Sequence, residues 1–449
     1  MLPAPELPLL RPLLHDPDDL ASRARYAAEL LARGDLLRAE ALTTPRATPE
    51  AAQAWKTLLG TGVLEVHLYY GVPVALRVSV GRAAEGVGFD LGALLEALPV
   101  RELAPVFADP EADDEDPEDG GPAQRLAVAE VLARDPRCAG VRVLDLSFDD
   151  WGEAAWRTLL ASPRLHLEGL VVGDGDCRLW IAEPLATSPA LDTLRTLTFA
   201  ADWRCDFGDA GLATLLAAPR WTGLHTLELY NLALTGAGAQ GVARCSALRG
   251  LRVLDLGGGS YKPNRVGPEG TQALAASPFL GSLERLVLDF NAVGDAGVEA
   301  LARSTTLGSL RSLSLKHNGL TDGALVALAE GAGMPALSTL ELTFNQRLTH
   351  RGVAALAASP RMRALESLWI RQCPGLGAEG AHALADAPGA VGLRDLNLLE
   401  CKLGPEGARA LVESPHLGSL KTLQVSGNQL DDATRALLRA RFGEGVGAR

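Results

Sequence analysis

Aromatic side chains are scarce. Phe, Trp and Tyr make up 5% of the 449 residues, against 47% for the hydrophobic set as a whole. The core must then be built from aliphatic side chains, leucine and alanine above all. Basic residues are outnumbered, 42 against 55 acidic ones, and the formal charge is −13. That sign excludes charge-driven binding to nucleic acid or to an anionic membrane surface, and it favours a protein partner that is neutral or basic. No run approaches the ~18 apolar residues of a membrane-spanning helix. Met1-Leu-Pro-Ala-Pro-Glu6 has no basic stretch, and Glu6 and Arg11 interrupt any signal-peptide core. The six cysteines (138, 177, 205, 245, 373 and 401) include no CxxC pair. They read as reduced thiols in a cytoplasmic protein.

Catalytic motifs are missing too. There is no phosphate-binding GxxxxGK-S/T loop, no HExxH, no GxSxG, and no metal-ligand spacing among the eight histidines. The expectation is a protein that is not an enzyme and takes no cofactor and no metal. Gly257-Gly-Gly-Ser260 reads as a turn. Asp174 and Asp176, in Gly173-Asp-Gly-Asp-Cys177, read as an exposed turn rather than a cation site. The acid-rich stretch from Asp109 to Pro122 reads as a solvated loop.

What the chain does have is a period. Leu283-Glu-Arg-Leu-Val-Leu-Asp-Phe-Asn291, Leu310-Arg-Ser-Leu-Ser-Leu-Lys-His-Asn318 and Leu337-Ser-Thr-Leu-Glu-Leu-Thr-Phe-Asn345 all read LxxLxLxxN. Weaker copies begin at Val141, Leu167, Leu194, Leu224, Leu251, Leu365, Leu393 and Leu420. The second Leu of each copy falls at 144, 170, 197, 227, 254, 286, 313, 340, 368, 396 and 423, in steps of 26 to 32 residues. Each unit has a second half with apolar residues at helical spacing, as in Gly294-Asp-Ala-Gly-Val-Glu-Ala-Leu-Ala302. Each unit is therefore a strand, a turn and a helix. The ninth-position Asn (291, 318, 345 and 428) can donate to turn carbonyls, and Cys373 and Cys401 stand at that position as ladder substitutes. The array resembles the ribonuclease-inhibitor class of leucine-rich repeats. That resemblance implies an α/β solenoid, a horseshoe with a parallel concave sheet and convex helices.

Residues 1–107 do not repeat. Helices are predicted over about 18–33 and 49–59, and a strand pair over Val63–Tyr70 and Val72–Val80, with a degenerate first repeat strand at Val100–Val106. Asp16-Pro-Asp-Asp19, Arg25-Tyr26, Leu30, Gly34-Asp35 and Arg38-Ala-Glu40 resemble the repeat-companion domain that precedes leucine-rich repeats in many bacterial proteins. That family carries an aromatic pair where this chain has Ala28-Glu29. The expected organisation is a small mixed α/β capping region over 1–107, an acidic loop over 108–122, and an array of about eleven repeats over 123–449.

In a strand, alternate side chains face opposite ways. With 286 and 288 inward, positions equivalent to 285, 287 and 289 face the concave surface and 290 lies at its edge. Those three columns hold six acids and three bases. Aromatics gather there although the chain is poor in them. The candidate partner-binding residues are Glu228, Tyr230, Asp255, Arg285, Asp289, Phe290, Lys316, His317, Glu341, Phe344, Trp369 and Arg371. Tyr230, Phe344, Trp369 and Arg371 are the expected anchors, and Glu228, Asp255, Asp289 and Glu341 steer association. Asp289 and Lys316 are expected to pair. The reading is a protein-interaction scaffold. One alternative is an inhibitor or immunity protein that occludes a basic enzyme such as a nuclease; the other is a structural self-assembly module.

Overall fold

The computed structural model describes residues 63–69, 72–79, 101–106, 122–147, 149–201, 205–259, 263–443 and 446–447. The helices expected over 18–33 and 49–59, the companion-domain motifs and most of the acidic loop lie outside these residues. The chain divides into two compact units, Met1–Arg204 and Cys205–Arg449.

In the first unit, β1 (Val63–Tyr69) pairs antiparallel with β2 (Val72–Ser79), as the strand pair in the sequence requires. From β2 onward the pairing is parallel: β3 (Glu102–Val106), β4 (Val143–Leu146), β5 (Gly169–Val172) and β6 (Thr196–Ala200) follow in order. Leu76, Leu103, Leu144, Leu170 and Leu197 stand opposite one another. The degenerate strand thus joins the leucine column. Among the described residues of this unit the helices are α1 (Pro122–Arg134), α2 (Gly152–Leu160) and α3 (Ala182–Thr187).

The second unit is a regular stack. Its strands are β7 (Thr226–Tyr230), β8 (Val253–Asp255), β9 (Arg285–Val287), β10 (Ser312–Ser314), β11 (Thr339–Glu341), β12 (Ser367–Trp369), β13 (Asp395–Asn397), β14 (Thr422–Gln424) and β15 (Val446–Gly447). All pair parallel with the next in sequence. Leu227, Leu254, Leu286, Leu313, Leu340, Leu368, Leu396 and Leu423 form one in-register column and are buried. The helices are α4 (Gly208–Leu216), α5 (Gly236–Arg244), α6 (Gly267–Ala275), α7 (Gly294–Ala302), α8 (Asp322–Glu330), α9 (His350–Ala358), α10 (Gly377–Ala385), α11 (Gly404–Glu413) and α12 (Asp432–Phe442). This strand-turn-helix stack is the leucine-rich-repeat solenoid, with one layer of strands and one of helices.

Why each helix starts where it does is visible in its residues. Thr235, Thr321 and Thr349 are N-caps whose hydroxyls accept the amide two residues on, at 3.2–3.3 Å. An Asp of the preceding repeat anchors each cap: Asp209 on Thr235, Asp295 on Thr321 and Asp322 on Thr349, through the backbone amide and the hydroxyl. Six others open with a glycine in the left-handed region (Gly152, Gly208, Gly267, Gly294, Gly377 and Gly404, with Gly294 at φ 60°), and α12 is capped by Asp431, which accepts the Thr434 amide. Close packing of neighbouring helices needs small residues. A Cβ at Gly407 would lie 2.9 Å from the Cα of Ala378. Helix ends are tied across repeats by Ser162, Ser188, Ser277, Ser304 and Ser414, each donating to a backbone carbonyl of the previous repeat at 2.5–2.6 Å.

The asparagine ladder closes the turns. Asn318 Nδ2 donates to the carbonyls of Leu288 (2.8 Å) and Lys316 (3.0 Å), and its Oδ1 accepts the amides of Asn291 (3.1 Å) and Val293 (3.0 Å). Asn291, Asn345 and Asn428 repeat the pattern. Cys373 Sγ faces the carbonyls of Leu342 and Arg371, and Cys401 Sγ those of Ile370 (2.7 Å) and Leu399. Both are buried, and burial pushes their thiols up to about 12 and about 11. They are ladder members, not nucleophiles. Cys177 Sγ does the same toward Gly173 O at 3.0 Å.

Asn264, which the nine-residue motif does not reach, completes the ladder of its repeat: Nδ2 donates to Leu229 O at 2.7 Å and Oδ1 accepts Leu234 N–H at 2.9 Å. The insertion that lengthens this repeat moves the Asn five residues on. Asp176 is wholly buried, not in an exposed turn. Its carboxylate accepts the amides of Trp151 (2.8 Å) and Gly152 (2.9 Å) at the start of α2, where it neutralises unpaired N–H groups. Burial holds its carboxyl above the usual range, against those hydrogen bonds. Finally, the core is not purely aliphatic. Among the described residues Trp151, Trp156, Trp221, Phe199 and Phe207 are the largest fully buried side chains.

Candidate functional site

The open face of the second unit's sheet, away from its helices, carries all twelve candidate residues. Register decides their neighbours. Glu228 stands opposite Asp255, Asp255 opposite Val287, and Glu341 opposite Trp369. Leu286 and Leu288 are buried and Arg285 is exposed. The strand ladder continues past each strand's last named residue. Phe290 N–H donates to Lys316 O, His317 N–H to Thr343 O, Phe344 N–H to Arg371 O, Gln372 N–H to Leu399 O and Glu400 N–H to Ser426 O, all at 2.8–3.0 Å.

At the start of this face, Tyr230, Asp255 and Val287 converge on Gly257. A Cβ there would lie 2.8 Å from Asp255 Oδ1, 3.4 Å from Val287 Cγ1 and 3.7 Å from Tyr230 Cδ2. Glycine is what lets the three side chains close over the backbone. Val287 is accordingly buried although it lies on the open face. Asp255 accepts the Gly257 amide at 2.6 Å. Burial pushes its carboxyl up to about 6. That hydrogen bond opposes the shift, and the charges of Glu228 and Asp289 add to it.

The middle of the face is a polar cluster. Asp289 Oδ1 accepts the Ser314 hydroxyl (2.6 Å) and the Lys316 amide (3.0 Å), and Oδ2 lies 3.6 Å from Lys316 Nζ. The expected Asp289–Lys316 pair is present. Lys316 Nζ also lies 3.9 Å from Glu341 Oε2, and Glu341 Oε1 accepts the Thr343 hydroxyl. Glu341 is 4% exposed. Its carboxylate, expected to steer association, is bonded within its own face and underlies the surface. Burial raises its pKa, and Thr343, Lys316 and Arg371 pull the other way.

The edge row is conformationally unusual. Asn231, Phe290, His317, Phe344, Gln372 and Glu400 all have φ between 50° and 63°. This left-handed region costs a residue with a Cβ about 1–2 kcal/mol. Phe290 and His317 stack at 4.7 Å between centroids, and His317 meets Phe344 edge-on at 6.4 Å. Such contacts are worth about 0.5–1.5 kcal/mol each and offset part of the strain. Gln372 donates to Glu400 at 2.9 Å. Asn231 differs: it is buried and accepts the Gly259 amide at 2.7 Å, so it holds the adjoining loop.

Tyr230, Phe344 and Trp369 are 36–40% exposed, and they are the exposed large aromatics among the described residues. The other exposed large hydrophobics are valines and leucines at 131, 179, 326, 391 and 437. Among the described residues no group of three or more His, Cys, Asp and Glu is placed to hold a metal ion, and no helix is long and apolar enough to cross a membrane.

Residues 282–302, 309–329 and 393–412 match the family described as Leucine Rich repeat, so the chain carries leucine-rich repeats. No curated protein matches the chain. Similar solved structures include the Rad7 and Elc1 complex in yeast, with a TM-score of 0.45, 16% identity, and coverage of 71% of this chain and 74% of that one. The TLR13–ssRNA13 complex gives 0.43 and 19%, over 68% of this chain and 38% of that one. A protein from Bacteroides fragilis gives 0.39 and 14%, over 60% and 71%.

Proposed function

We propose that the chain is a non-enzymatic protein-interaction scaffold and that its partner, neutral or basic, sits on the open face of the second unit's sheet. The observation that carries this is the placement of Tyr230, Phe344 and Trp369. In a chain with 5% aromatics, all three stand exposed on one face beside Arg285 and Arg371. Folding gains nothing from leaving a Trp ring in water, whereas Trp, Tyr and Arg are the side chains that dominate protein interfaces. The framework beneath them is preformed by the leucine columns and the asparagine ladder, so little ordering cost attends binding. In the three columns of this unit, five acids (Glu228, Asp255, Asp289, Glu341 and Asp395) against three bases (Arg285, Lys316 and Arg371) leave a formal charge of −2, which attracts a basic partner and speeds its encounter.

The test is affinity capture from native host lysate with wild-type protein and a Tyr230→Ala/Trp369→Ala variant of unchanged thermal stability. A partner held by wild type and lost by the variant supports the reading. Each anchor is worth about 2 kcal/mol, roughly thirtyfold in affinity. A partner held equally by both moves the site off this face and refutes it.

A further inference from the structure

We infer that the edge row Phe290, His317 and Phe344, with Trp369 beside it, seats an amphipathic helix of the partner that lies across the strands, with an apolar stripe toward the rings and Lys or Arg along its flank. This rests on the protein-binding reading above and names the chemistry of what is bound.

Strain is the first ground. The turn holds a left-handed residue at this position in the repeats from β9 to β14, and Gly427, at φ 71°, meets that need in the last of them without cost. Phe290, His317 and Phe344 meet it with rings instead. The rings meet one another in pairs along the rim, and His317 and Phe344 remain exposed. Asn231, Gln372 and Glu400 bear the same strain, but of the six only these three, at consecutive repeats, carry rings, and their continuous aromatic strip points to use of the strip rather than to folding.

Spacing is the second. Adjacent strands lie about 4.8 Å apart, and the observed ring separations are 4.7 and 6.4 Å. A helix laid across the strands presents one apolar side chain per turn of about 5.4 Å, at i, i+3 or i+4, and i+7. An extended segment in the same direction presents one every ~6.7 Å. Over the four steps from Phe290 to Glu400 the strands advance about 19 Å, a helix about 22 Å and an extended chain about 27 Å. Only the helix keeps its side chains in step with the row.

Charge is the third. Lys316 is held between Asp289 and Glu341, and the row ends in the exposed Glu400. Glu228 and Asp255 lie on the same face. Cations on the helix flank would meet this acidic surround; anions would be repelled.

The experiment uses two displayed libraries panned on the full chain. One holds helices of roughly 15 residues, about four turns; the other holds unstructured peptides of equal length. The control is a Phe290→Gly/His317→Gly/Phe344→Gly variant, which keeps a backbone that glycine adopts freely, and its melting temperature is checked. Enriched helices with an apolar stripe and flanking Lys or Arg are expected. They should bind the variant at least roughly tenfold more weakly, a loss of about 1.4 kcal/mol, and weaken similarly when the flank is changed to Glu. The inference is overturned if no helices are enriched, if enriched helices bind the variant as well as wild type, or if only unstructured peptides depend on the rim. Lysate capture separates the two proposals. A partner lost by the Tyr230/Trp369 variant but kept by the rim variant leaves the scaffold reading standing and sinks the helix.

Discussion

Substitution of Asn318 puts a number on what holds the turns together. Its side chain is 2% exposed and makes four hydrogen bonds, three to the preceding repeat and one within its own. Asn318→Ala strips the Asn291 and Val293 amides and the Leu288 carbonyl of that partner, whereas Lys316 O still accepts from Phe290. A buried polar group left unpaired costs about 1–3 kcal/mol. Three such groups, partly relieved by water entering the vacated space, give an expected loss of about 3–5 kcal/mol. Asn318→Cys imitates positions 373 and 401 with a weak donor that can also accept, and should cost about 1–2 kcal/mol. Asn318→Asp turns acceptor oxygens toward two carbonyls and buries a charge, so it should be the worst of the three. Urea unfolding at a matched m-value gives the ranking. Because repeat arrays can unfold in parts, amide exchange at Asn291 and Val293 gives the local reading. An Ala variant within about 1 kcal/mol of wild type, or a Cys variant no better than Ala, would refute the ladder account.

The converse change, Cys401→Asn, should raise the melting temperature, with a gain of about 0.5–1.5 kcal/mol, since a full amide replaces a weak thiol donor. Asp255 titrates near 6 in the fold against 3.8 as a free carboxyl. The folded state therefore binds the extra proton between those values, and stability falls as pH rises through that window. Asp255→Asn should flatten a thermal-stability profile taken from pH 4 to 7 by about 1–2 kcal/mol; an unchanged slope would show that the carboxyl is not held up by its surroundings. The lowered carboxyl of Asp135, at about 2, acts below that window. Arg361 donates to the carbonyls of Leu328, Met334, Gly331 and Gly333 at 2.6–2.9 Å. Lysine cannot span that fork, so Arg361→Lys should cost about 2–3 kcal/mol and speed exchange around 328–337; equal stability would mean that the four contacts are replaceable by water.

The leucine column was legible because its cause is periodic. Each Leu at the marker position meets the same neighbour in every repeat, so the steps of 26 to 32 residues translate directly into strand register. Asn291, Asn318, Asn345 and Asn428 were legible for the same reason. Asn264 was not, since an insertion shifts it out of phase, and only the long step into the next repeat hinted at it. Arg361 was hidden differently. Its carbonyl partners exist because Gly331-Ala-Gly-Met334 breaks the repeat's usual helix end, and a unique repair leaves no period to read.

The open face divides along the same line. Alternation placed all twelve candidates on it, but alternation says nothing about depth. Glu341 and Phe344 lie three residues apart in one repeat, yet the first is bonded to Thr343 inside the face and the second stands in water. What separates them is the backbone. Phe344 has turned into the left-handed region, which swings its ring to the rim, while Glu341 stays in regular strand geometry among Lys316, Thr343 and Trp369. Repeat position fixes that turn, so exposure at the rim follows from the architecture. The choice of Phe, His and Phe over the glycine found at 427 does not. Architecture explains why something must stand at the rim, and the run of three rings there, where the next repeats place Gln372 and Glu400, is the reason to look for a partner that uses it.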